Sequence, residues 1–247
     1  MRQSMHAAVL TLILSVAATV GASPARAQVL GIPVYNSGIG RGIGLYADVG
    51  FSNAAAGKGT ALALTGRAGF GPLGVTATIS TFNPKGPAGS VTSVGGTGNL
   101  RIFGGPLVPL SVTLQGGVGY EEPEGGVIPS SAVTPLAPSL AFGVPTSVLA
   151  SDEVSVLHFP VGVGFALTIP NPVLAIKPWL APRVDVTRTK ANGVSDTDTH
   201  FALSGGLELN LLSGLGLQAA YDLRTGGSSH PGVFGIGAHY TFRVPGL

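Results

Sequence analysis

One pattern constrains this chain more than any other, and its last copy is the clearest. Phe234, Ile236, Ala238, Tyr240, Phe242 and Val244 fall on one face, while Gly235, Gly237, His239, Thr241 and Arg243 fall on the other. A period of two is the signature of a β-strand with two chemically different faces. The device recurs about ten times between Arg41 and Val244, each copy followed by a Gly- or Pro-rich connection. One face is aliphatic or aromatic, and the other is glycine, hydroxyl and charge. Bulky-out and small-polar-in is what a closed barrel surrounded by lipid needs, because lipid leaves no backbone group unpaired.

The beginning of the chain reads as an export signal over 1–27. Arg2 precedes an apolar run from Ala7 to Gly21, and Ala25-Arg26-Ala27 supplies a small-x-small cleavage site before Gln28. The run is short for crossing a hydrocarbon core of roughly 30 Å, although a single anchor helix is the competing reading. Removing Arg2 and Arg26 leaves 11 basic residues of the original 13 against 11 acidic ones. A balanced chain without Lys/Arg clusters is not a nucleic-acid binder. The absence of Cys excludes a disulfide framework and a lipid-modified cysteine. After the signal, no apolar stretch is long enough for a helical span. No cofactor motif stands out: Gly38-Ile39-Gly40-Arg41-Gly42 precedes a strand instead of opening a helix.

Alternation places strands at 41–51, 60–70, 75–82, 95–103, 110–120, 154–169, 179–189, 199–210, 215–224 and 233–244. The connections 71–74, 104–109, 170–178 and 211–214 are mostly tight. Those at 52–59, 83–94, 121–153, 190–198 and 225–232 are longer and more polar. Short periplasmic turns, long extracellular loops and an even strand count characterise outer-membrane barrels. The expectation is therefore all-β: a closed antiparallel transmembrane β-barrel of about ten strands, with eight the competing count. Residues 28–40 are expected to form a periplasmic segment and 41–247 the barrel, with a long extracellular loop at 121–153.

In these features the chain resembles the small bacterial outer-membrane β-barrel proteins over nearly all of its mature length. The most specific element is the closing strand ending in Tyr240-Thr241-Phe242. The resemblance implies residence in the bacterial outer membrane, lipid as a partner, and recognition by the barrel-assembly machinery through Phe234, Ile236, Tyr240 and Phe242. No motif points to a subfamily of particular activity.

The inward phase collects Asp48, Arg67, Arg101, Arg183, Asp185, Glu208, Asp222 and Arg224 into an expected lumen charge network. Buried charges must be paired, and the planar fork of Arg suits carboxylates. Arg183 with Glu208 is the expected pair, on adjacent strands. Inward glycines, among them Gly50, Gly69, Gly117, Gly162, Gly164, Gly206, Gly235 and Gly237, either relieve crowding or leave a void. Asp196, Asp198 and His200 share one face of a strand and form a candidate metal site of carboxylate and imidazole character. His200 and Ser204 lie too far apart along a strand for a direct hydrogen bond. The expected function is a non-enzymatic outer-membrane barrel with a structural or loop-mediated role and a plugged or narrow polar lumen. The alternatives are a small-solute pore or ligand-binding barrel, and an outer-membrane enzyme.

Overall fold

A computed structural model describes residues 29–40, 42–86, 89–105, 108–123, 154–191, 194–225 and 230–242. The expected signal at 1–27, most of the 121–153 loop and the residues after Phe242 lie outside these.

Ten strands alternate inward and outward side chains: β1 (Gly42–Ser52), β2 (Gly59–Phe70), β3 (Leu73–Pro84), β4 (Val91–Gly105), β5 (Val108–Pro123), β6 (Val154–Leu167), β7 (Leu174–Ala191), β8 (Val194–Leu211), β9 (Leu215–Thr225) and β10 (Gly232–Phe242). Each pairs antiparallel with its neighbours in sequence, and β1 pairs with β10 to close the barrel. That seam runs from Ile43 opposite Phe242 to Ser52 opposite Val233. With the circle closed, no strand edge is left exposed, which is the condition for a sheet to sit in lipid.

The outer wall is apolar along its length. Leu45, Leu62, Leu64, Ile79, Val161, Leu180, Leu217 and Ile236 are all exposed despite their size. A continuous apolar belt of this extent far exceeds the patches a water-soluble monomer presents. The inner wall is the reverse: Thr65, Ser80, Ser93, Thr97, Thr113, Gln115, Ser204 and Gln218 are buried with the charged set.

The connections sort by end. At one end, β2–β3, β4–β5, β6–β7 and β8–β9 are joined by two to six residues. The other end carries the loops after β1, β3, β5 and β9 and the β7–β8 hairpin. Several strands run further than the alternation indicates, β3, β4, β5, β7 and β8 among them. β7 begins at Leu174 and pairs Leu174 with Leu211, although its Pro178 resembles turn material. The 190–198 stretch is ladder up to Ala191 opposite Val194, so the polar loop expected there is a hairpin of two long strands. Likewise β5 continues to Pro123, so 121–123 belong to the wall and not to the long loop.

The larger departure is at the N-terminal side. Residues 28–40 are expected in the periplasm, but 29–40 lie inside the barrel. Val29, Leu30, Ile32, Val34, Asn36 and Ser37 are buried there. The segment makes no ladder with any strand; its one bridge is internal, Val29 with Ile32. Its backbone is admitted because inward glycines leave room for it. A Cβ on Gly50 would sit 1.8 Å from the Gly31 carbonyl oxygen, and one on Gly69 would sit 1.8 Å from that of Gly40. Of the inward glycines, expected either to relieve crowding or to leave a void, Gly50, Gly69, Gly164 and Gly235 make room for this segment of the chain itself.

Candidate functional site in the lumen

The buried segment runs the length of the barrel. Gly31 lies beside Gly50, Ala61 and Phe82, all two residues inside the long-loop end. Gly40 lies beside Gly69, one residue from the short-turn end. Eight strand steps separate Ala61 from Gly69, about 26 Å, and nine extended steps from Gly31 to Gly40 reach about 30 Å. The length of the segment matches the height it crosses.

Its contacts reach all ten strands. At the long-loop end, Leu30 and Ile32 pack on Ala61, Phe82 and Val91 in an apolar cup. The Leu30 N–H donates to Ser93 Oγ at 3.4 Å, and the Val34 N–H donates to Asp222 Oδ2 at 3.2 Å. Midway, Tyr35 packs against Trp179 with ring centroids 6.2 Å apart, and Pro33 and Tyr35 press on Gly235. The Asn36 amide donates to Gln115 Oε1 at 3.1 Å and accepts from Thr113 Oγ1 at 3.0 Å. It lies against Gly164, whose missing side chain makes the space. Ser37 Oγ donates to Glu208 Oε2.

Around this segment the charges form two groups. The group nearer the long loops is centred on Arg183. Its Nε donates to Asp185 Oδ1 at 2.9 Å, its Nη2 spans both oxygens of Asp222 at 2.8 and 2.9 Å, and its Nη1 donates to Ser204 Oγ. Arg224 Nε lies 3.2 Å from the second Asp185 oxygen. Every guanidinium and carboxylate here is at most 4 % exposed in its side chain, so charges removed from water compensate one another. His158 and Glu121 approach to 3.2 Å at the same end.

The expected Arg183–Glu208 pair does not form. On the β7–β8 ladder Arg183 faces Ala202 while Glu208 faces Lys177. The two expected partners are six steps apart along the strand, about 20 Å. Alternation gives the face of a side chain but not its height. Glu208 is held instead by the second group: Lys177 Nζ at 3.5 Å, Arg67 Nη1 at 3.7 Å, Asn210 Nδ2 at 2.8 Å and Ser37. Arg67 also lies over the Tyr46 ring, 4.2 Å from its centroid, and Tyr46 stacks on His239 at 4.5 Å. Asp48 joins neither group closely and accepts from Gln218 Nε2 at 2.6 Å.

Arg101 leaves the network altogether. A bulge shifts the β4–β5 register between Arg101 and Phe103, and the side chain caps the Gly71 carbonyl in the β2–β3 turn. Asp196 is exposed whereas His200 is buried at 2 %, and among the described residues no three His, Cys, Asp or Glu side chains converge on a metal position. The alternation alone does not point to Lys177 and Glu121, although both sit in phase with inward residues of the same strands, Arg183 and Gly117. Both lie where proline or acidic neighbours suggest that the strand has ended.

Beside residues 35–40 of the segment, at the short-turn end, a cavity of about 460 Å³ opens between Tyr35, Tyr46, Arg67, Asn99, Lys177 and Glu208. Glu208 is already engaged by four donors. Lys177 and Arg67 bring donors to this cavity, and Asn99 Oδ1 is an acceptor in its lining without a hydrogen-bond partner among the described residues.

A closed antiparallel barrel with an apolar outer belt and a polar, charge-paired interior is a transmembrane β-barrel. Its architecture is that of small bacterial outer-membrane β-barrels. Solved structures that share it at low overlap include the N-terminal β-barrel domain of Pseudomonas aeruginosa OprF, with 9 % identity over 82 % of this chain and 98 % of that one at a TM-score of 0.37. The Yersinia pestis attachment invasion locus protein Ail matches with 12 % identity over 82 % of this chain and 100 % of that one, at a TM-score of 0.32. The β domain of the Bordetella autotransporter BrkA matches with 16 % identity over 81 % and 98 %, at 0.45. The closed barrel rests on its own ladders and not on these overlaps. No protein-family model and no curated protein matches the chain.

Proposed function

We propose that this chain is a non-enzymatic outer-membrane barrel, plugged by its own N-terminal segment, that serves the cell envelope through its structure and its loops. The long-loop end then faces outward and the short turns face the periplasm. The observation that carries the reading is the contact of residues 29–40 with all ten strands along the lumen. The interior chemistry favours it over catalysis: Ser204 is engaged by Arg183 and not by a histidine, and Asp185, Asp222 and Glu208 are each matched to cations. In this reading the assembly machinery grips the final strand, whose Phe234, Ile236, Tyr240 and Phe242 are exposed on the outer wall.

Single-channel recording in planar bilayers tests the proposal. The full-length protein is expected to insert without a steady current. Sustained current through it overturns the plugged reading and favours the small-solute pore, for which the cavity beside Lys177 and Arg67 is the vestibule.

A further inference from the structure

We infer that the lumen is a preformed binding site for an extended, uncharged peptide, and that residues 29–40 are its resident occupant and not a part of the wall. This deepens the plugged-barrel reading and rests on it. The first support is that the wall is complete without the segment. Ten ladders close the circle with no contribution from it. The ion pairs of the upper charge group all lie within the wall, Arg183 with Asp185 and Asp222 and Arg224 with Asp185, and the segment adds one bond, from the Val34 N–H to Asp222. Removing the segment leaves no cation without its carboxylate.

The second support is that the wall is shaped for a backbone. Gly50 and Gly69 accept carbonyls of the segment at distances no side chain permits, and Gly164 and Gly235 make room for Asn36 and for Pro33 with Tyr35. Such fit without ladder hydrogen bonds differs from strand addition at a sheet edge, where the backbone ladder supplies the affinity. Here recognition is by side chains projecting from the wall, in a fixed order along the axis.

That order defines the ligand. An apolar cup of Ala61, Phe82 and Val91 takes a pair of aliphatic residues. Trp179 takes an aromatic ring, and Gln115 with Thr113 takes a carboxamide on both its donor and acceptor sides. Asp222 and Glu208 each accept from the occupant, one from a backbone N–H and one from a hydroxyl. Both anchors being carboxylates, an acidic peptide is excluded and a donor-rich neutral one is favoured. Within the described residues the occupant joins the wall at one point only, where Gly40 leads through residue 41 into β1.

The chain contains one tryptophan, and it lies beside the occupant's Tyr35, so it reports occupancy directly. The experiment uses the barrel lacking residues 29–40, folded in detergent, and a synthetic peptide of residues 29–40 with nitrotyrosine at the Tyr35 position. Saturable loss of most Trp179 emission is expected, with no loss in the full-length protein, whose site is already filled. A peptide carrying Asn36→Asp and Ser37→Asp should bind about tenfold more weakly or worse, given the lost hydrogen bonds. A truncated barrel that keeps its strand circular dichroism and heat-modifiable migration but shows no saturable quenching overturns the inference while leaving the plugged-barrel reading intact. Quenching of the full-length protein overturns that reading instead. If the truncated chain does not fold, amide exchange on the intact protein decides. Exchange of residues 32–40 well ahead of the wall strands supports a separable occupant, and protection equal to the ladders overturns it.

Discussion

Replacing Arg183 with methionine tests the idea that the lumen is held by compensated charge. Methionine keeps a comparable apolar stem but removes the guanidinium that joins two buried carboxylates. Asp185 retains Arg224 at 3.2 Å. Of its hydrogen bonds Asp222 retains only that from the Val34 N–H at 3.2 Å, with both of its bonds from Arg183 gone. The side chain of Asp222 is 3 % exposed, so water cannot replace what is lost. Removing one partner of such a buried pair costs about 3–5 kcal/mol. With a urea dependence of about 3 kcal/mol per molar, the unfolding midpoint in lipid vesicles should fall by about 1 to 1.7 M. The double variant with Asp222→Asn removes the orphaned charge and should recover much of that loss, since the penalty lies in the uncompensated carboxylate and not in the missing contact. A fall below about 0.3 M, equivalent to roughly 1 kcal/mol, would show that water or rearrangement relieves Asp222. Losses that simply add in the double variant would show the two side chains to be uncoupled.

Two further substitutions probe the wall from either side. Leu64→Arg on the outer face, mid-strand and 58 % exposed, should lower stability in vesicles by about 2–4 kcal/mol, whereas Leu73→Arg at the start of β3 should cost close to zero or about 1 kcal/mol; equal effects from both would contradict a bilayer belt. Gly50→Ala forces a Cβ to within 1.8 Å of the Gly31 carbonyl oxygen and should dislodge that end of the segment, read as altered Trp179 emission, while Gly66→Ala, whose Cβ meets nothing within 4 Å, should leave it unchanged.

Alternation in the amino-acid order reveals the strand count and the two faces, because lipid and lumen impose opposite demands on neighbouring residues. It does not reveal height along the barrel, which depends on ladder register, and so Arg183 and Glu208 were matched across a gap of six steps. It also misses strand ends that carry ambiguous residues: Pro178 hid Lys177, and the acidic run after Tyr120 hid Glu121. The lumen segment was illegible for a different reason. Residues 29–40 carry no alternation because they face wall on every side, and their partners, Gly50, Gly69, Gly164 and Gly235, record them only as missing side chains. Glycine on an inward face reads equally well as space or as contact until the backbone that fills it is seen. Arg101 illustrates the same blindness to height, since it follows Leu100, the last β4 residue paired with β3, and so lies level with the β2–β3 turn.

The seam between β1 and β10 has a consequence for the order of events during assembly. It joins the first strand to the last, Ile43 to Phe242, so the cylinder stays open along one side until the whole chain has been laid down. The lumen segment precedes that first strand by a single residue, and it is anchored sideways to residues of every other strand. While the slit is open it can be laid in laterally, one contact after another. Once the slit shuts, only end-on threading past Tyr46, Trp179 and Phe82 remains, so the timing of closure relative to docking decides whether a newly made molecule is sealed or empty.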